Sequence, residues 1–134
     1  MAKILQISDL HFGPHYVAEV GQAFQHIAPA LQPDAIVVNG DLTQRAKRGQ
    51  FQAARRFLDR LPRVPLLSVP GNHDVPLYRL GERLLRPPAL YRELICADLN
   101  PVLRLQGAVL AGLDSTSPRA AIPNGRLHRT HLPR

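Results

Sequence analysis

Three short apolar runs recur along the chain, and each ends on residues that carry chemistry. Ile4-Leu5-Gln6-Ile7-Ser8 leads into Asp9-Leu10-His11, and Ala35-Ile36-Val37-Val38-Asn39 leads into Gly40-Asp41. Val64-Pro65-Leu66-Leu67-Ser68-Val69 leads into Pro70-Gly71-Asn72-His73-Asp74. Runs this short and continuous predict buried strands, here over Lys3 to Ser8, Ala35 to Asn39 and Leu66 to Val69. Between them the period changes. From Val17 to Leu31, apolar residues at Val20, Ala23, Phe24, Ile27 and Leu31 return every three or four positions, which predicts a helix with that face buried. Pro29 and Pro33 end or kink it. A second helix is predicted from about Gln50 to Leu61, with Phe51, Ala54, Phe57, Leu58 and Leu61 inward and Pro62 as its stop.

Strand, helix, strand, helix, strand predicts two crossover units on a parallel sheet. The chemistry-bearing residues keep step with this plan: Asp9 and Asp41 are 32 residues apart, and Asp41 and Asn72 are 31 apart, each about one crossover unit. In such sheets the loops after the strands share one rim, so Asp9, His11, Asp41, Asn72 and His73 should meet in space. Further on, Leu80 to Ile95 reads as helix split by Pro87-Pro88. Val102 to Gln106, a turn at Gly107 and Ala108 to Leu113 read as a hairpin. Asp114-Ser115-Thr116 reads as a local cap. From Ser117 to Arg134 no apolar period remains, and a disordered basic tail over 118–134 is expected, leaving one domain over 1–117.

With 134 residues there is room for one core but not two. No apolar run approaches membrane-spanning length, and no secretory segment precedes Asp9, so no membrane partner and a cytoplasmic setting are expected. A lone Cys96 cannot form an internal disulfide, which fits a reducing compartment. The net charge of +7 and the grouping of Arg45, Lys47, Arg48, Arg55, Arg56, Arg60 and Arg63 would suit nucleic acid. Those charges fall on the polar side of the second helix, so a solvated face is favoured over a nucleic-acid surface.

Carboxylates, imidazoles and one amide on three strand ends, without thiolates, suit Mn, Fe, Zn or Ni rather than Ca or a structural zinc knot. Glycine before Asp41 and before Asn72 allows sharp turns and close approach. Alone, each motif is an ordinary cap or turn; together they read as a metal site. His15 and His26 lack partners in the pattern and read as surface histidines.

The strings Asp9-Leu10-His11, Gly40-Asp41-Leu42-Thr43 and Gly71-Asn72-His73-Asp74 resemble those of the calcineurin-like metallophosphoesterase family, in its bacterial cyclic-nucleotide phosphodiesterase-like branch, over roughly Ile4 to Ser117. The resemblance implies an α/β fold, the N-terminal part of a four-layer αββα sandwich around a mostly parallel βαβαβ core. It implies two divalent metal ions and hydrolysis of a phosphodiester or phosphomonoester, a cyclic nucleotide first, with a small phosphate ester or nucleotide as partner. Asp9 and His11 would bind one metal, Asp41 would bridge, and Asn72 would bind the second. His73 would be the general acid, and Asp74 its orienting partner. The family's later histidine and Gly-His-x-His motif have no counterpart; His128 and His131 lack a preceding strand and are not taken as ligands. The chain therefore reads as the front half of an enzyme, weak in metal affinity and turnover and prone to self-association through an exposed sheet face. The resemblance leaves a nuclease, a nucleotide pyrophosphatase or a non-catalytic scaffold on this fold as alternatives.

Overall fold

Three parallel strands form the centre of the computed structural model, which describes residues 2–76, 81, 88–117 and 125–127. β1 (Ile4–Ile7), β2 (Ala35–Asn39) and β3 (Leu66–Val69) lie in the order β1-β2-β3. Ile4 pairs with Ala35 and Ile7 with Val38; on the other side Ile36 pairs with Leu66 and Asn39 with Val69. The two crossovers carry α1 (Ala18–Ile27) and α2 (Arg48–Leu58). α1 passes directly into a 3₁₀ turn at Ala28–Leu31, where Pro29 cannot continue the α-helical ladder. A short α3 (Ala89–Leu94) starts just after Pro88, and β4 (Val102–Leu105) and β5 (Ala108–Ala111) form the antiparallel hairpin. The rest of the predicted helix, 80 and 82–87, lies outside the described residues, as do His128 and His131.

Both crossover helices cover the same sheet face. Phe24 of α1 stacks on Phe57 of α2 with ring centroids 6.3 Å apart, and Gln25 Nε2 donates to the Phe57 carbonyl at 3.1 Å. The core beneath them joins Ile7, Ile36 and Val38 to Phe51, Phe57, Leu58, Leu61 and Tyr91. The inward residues predicted for α2 are all buried. Burying a side chain of that size contributes about 1.5–3 kcal/mol, so this face holds the domain together. The hairpin sits against β3 on the opposite face, where a Cβ at Gly112 would press on Val69 and Leu67.

The predicted inward face of α1 is corrected by the structure. Val20 is 66% exposed, Ile27 52% and Leu31 43%, whereas Gly21 and Ala28 are buried and Phe24 half-buried. The reason is close approach: the Tyr16 hydroxyl lies where a Cβ on Gly21 would stand, so α1 turns its small residues to its neighbours. Of the expected tail, 118–124 and 128–134 lie outside the described residues; within 125–127 the Arg126 amide donates to the Ser115 carbonyl at 2.8 Å.

Candidate metal centre

Past the ends of β1 and β2 the chain keeps pairing, in an irregular form. The amides of Asp9, His11 and Phe12 donate to the carbonyls of Gly40, Asp41 and Leu42 at 3.3, 3.0 and 2.8 Å, and Phe12 bridges to Thr43 as in a parallel ladder. Within this stretch Asp9, His11 and Asp41 all have left-handed backbones, with φ of 56°, 48° and 51°. Such angles cost energy for any residue with a Cβ, though Asp and His tolerate them better than most. Three in one pair of loops mark a site whose surroundings overrule local preference.

The same three residues converge. One ligand-type atom from each of Asp9, His11 and Asp41 lies within 4.8 Å of the others. His11 Nε2 is 3.7 Å from Asp9 Oδ1, and the buried His11 Nδ1 has no hydrogen-bond partner among the described residues. Two carboxylates and an imidazole converging in this way fit a cation, because they offer the hard and borderline donors that Mn, Fe and Zn accept.

Gly71 brings the third loop against the second. A Cβ there would overlap the Asp41 carboxylate and amide and stand 2.8 Å from its Cγ, while Gly40, at φ +77°, abuts the Gly71 backbone. Only glycine fits this contact, as expected of both glycines. It lets the His73 amide donate to Asp41 Oδ1 at 2.9 Å and brings the His73 ring edge-on to His11, with centroids 4.8 Å apart. Asn72 opens the 3₁₀ turn Asn72–Asp74 next to them and is exposed.

Asp74 sits elsewhere than expected for an orienting partner. Its carboxylate accepts the amides of Leu42 and Gly71 on Oδ2 at 3.1 and 3.0 Å, and the amide and hydroxyl of Thr43 on Oδ1 at 2.9 and 3.0 Å. It is 1% exposed and ties the second loop to the third. Burial pushes its carboxyl up to about 6, against those four hydrogen bonds, which favour the charged form. The His73 Nδ1 faces the Gln44 carbonyl at 3.0 Å instead. Sequence reasoning missed both Thr43 and Gln44; the clue for Thr43 was its place in the Gly40-Asp41-Leu42-Thr43 string.

At the end of β5, the Asp114 amide donates to Asn100 Oδ1, and Asp114 Oδ1 accepts from the Thr116 amide and hydroxyl at 2.8 and 2.7 Å, the local cap expected there. No helix among the described residues is long and apolar enough to cross a membrane.

The profile of the calcineurin-like phosphoesterase family matches residues 2–128. Glycerophosphodiester phosphodiesterase GpdQ of Enterobacter lignolyticus (strain SCF1) is 49% identical over 43 residues, which are 32% of this chain and 15% of that protein. Family match, sheet order and cation-ready loops agree: this chain belongs to the calcineurin-like phosphoesterase family.

Proposed function

We propose that this site performs metal-dependent hydrolysis of a small phosphodiester, with Asp9, His11, Asp41 and Asn72 holding two divalent ions. The observation that carries the reading is the convergence of Asp9, His11 and Asp41 on strained backbones at one sheet rim. A pair of bound Mn, Fe, Zn or Ni ions would supply an activated water and neutralise charge on the phosphoryl oxygens. The protein's own part is positional. The His73 amide steadies Asp41 from behind, so the carboxylate is presented in one orientation.

His73 is the general acid in this reading. A carbonyl only accepts, so the nitrogen facing Gln44 carries a proton, and Nε2 is left to give or take the proton that the leaving oxygen needs. Asp74 and Thr43 act through the loops they join and not on the imidazole. A glycerophosphodiester, after the relative's name, and a cyclic nucleotide, after the motif resemblance, are the first substrates to test. A cytoplasmic setting accords with the lone Cys96, and the catalytic domain is assigned to residues 1–117.

The test is Mn titration of the EDTA-stripped chain by calorimetry, with hydrolysis of bis(p-nitrophenyl) phosphate followed in parallel. Expected are weak Mn binding and slow, Mn-dependent hydrolysis, both lost in Asp41→Ala. His73→Ala should keep Mn while turnover falls about 10²-fold to 10⁴-fold, the usual contribution of a general acid. Mn binding that survives Asp41→Ala, or is lost equally in His73→Ala, would overturn the assignment.

A further inference from the structure

On the helical face of the domain, α1 and α2 flank a cleft of about 190 Å³, whose floor includes Phe12, the residue after His11. Its floor is aromatic: Phe12 stacks on Tyr16 with centroids 4.1 Å apart, and Phe57 lies 5.7 Å from Phe12. Its wall carries Arg56 of α2 and Arg60 from the turn just after it, and Gln22 of α1 lines it too. None of the lining residues is acidic.

The charge arrangement on α2 changes within one residue. Arg55 has Asp59 four positions on and pairs with it at 2.6 Å, and Arg48 pairs with Glu93. Arg56 has Arg60 four positions on. Like charges at that spacing repel by a few tenths of a kcal/mol on an isolated helix, and among the described residues neither makes an ion pair. Arg60 also lies close enough to the Tyr16 hydroxyl to oppose the upward push that burial gives it, so positive potential reaches the floor. Two exposed arginines thus line the same cleft as the stacked aromatic pair, and guanidinium groups bind oxyanions with paired hydrogen bonds. A dry cavity of about 150 Å³ holds one benzene ring. A cleft of this size has room for a single six-membered ring with its charged group at the mouth.

We propose that the cleft between α1 and α2 binds a small aromatic oxyanion, its ring on Phe12, Tyr16 and Phe57 and its charge between Arg56 and Arg60. The cleft is lined by none of Asp9, His11, Asp41 and Asn72, and the proposal stands whether or not the hydrolase reading does. The probe is benzenesulfonate, added to the full chain in EDTA so that no cation contributes, with tyrosine fluorescence and NMR line shifts as readouts. Saturable binding with a dissociation constant of about 1 mM is expected, near the efficiency of ordinary small ligands. Sulfate alone and benzyl alcohol alone should each bind at least ~10-fold more weakly, because each supplies half of the contact. The R56Q/R60Q variant should lose ~10-fold or more while melting like the parent, since both side chains are on the surface. No saturation, equal binding of sulfate, or unchanged affinity in R56Q/R60Q would each overturn the proposal.

Discussion

Asp74 makes the stability of this domain fall as pH rises through the acid range, and the size of the fall can be worked from its surroundings. Its folded carboxyl lies at about 6, against an ordinary value of 3.8. Between those values the native state holds a proton that the unfolded chain has already released. Stability is therefore full below the unfolded value and is lost as pH climbs through the folded one. A shift of about two units corresponds to about 3 kcal/mol, a large part of the total for a small domain. The structure accommodates both forms. With Asp74 ionised, the Thr43 hydroxyl donates to it; with Asp74 protonated, that hydroxyl accepts its proton and turns its own to the His73 carbonyl, 3.0 Å away. Urea unfolding at several pH values between 4 and 7.5, in EDTA, gives the curve, provided the denaturant slope stays constant. Other groups contribute to the pH dependence as well, so the measurement is the difference between the parent and Asp74→Asn, which has no such proton. That difference should change by about 3 kcal/mol across the window, with the parent losing ground at the high end. Parallel curves would show that the buried carboxyl does not titrate there.

Three further outcomes follow from contacts in the fold. Gly71→Ala should lower Mn affinity at least ~10-fold by calorimetry, because its Cβ must displace Asp41; unchanged affinity would mean the two loops move apart freely. Tyr91→Phe strands the Ser68 hydroxyl, which is 1% exposed and 2.6 Å from the Tyr91 hydroxyl, and should cost about 1–3 kcal/mol in urea unfolding. Adding Ser68→Ala should recover most of that loss, and simply additive losses would argue against the bond. Replacing Val20, Ile27 and Leu31 by serine should leave the urea midpoint nearly unchanged and reduce self-association in sedimentation, whereas strong destabilisation would place that face in a core.

The strands, the hairpin and the order of the loops could be read from the sequence because each rests on local periodicity. Ile36-Val37-Val38 makes a buried strand almost regardless of its neighbours, and alternation of strand and helix leaves few ways to connect them. The gathering of Asp9, His11 and Asp41 followed from that topology. Three things belonged to the tertiary structure. The face of α1 was misread from its period, which put Val20, Ala23, Phe24, Ile27 and Leu31 inward; the contact of Tyr16 with Gly21 turned Gly21, Phe24 and Ala28 to the neighbours instead. The sign of φ at Asp9, His11 and Asp41 is invisible in residue type beyond a mild tolerance, because strain of that kind is held by pairing between distant loops. The surroundings of Asp74 were decided by which donors lay within 3.1 Å once two loops 31 residues apart had closed on each other. A carboxylate beside a histidine in sequence need not face it in space, and here the backbone amides of Leu42, Thr43 and Gly71 claimed it first.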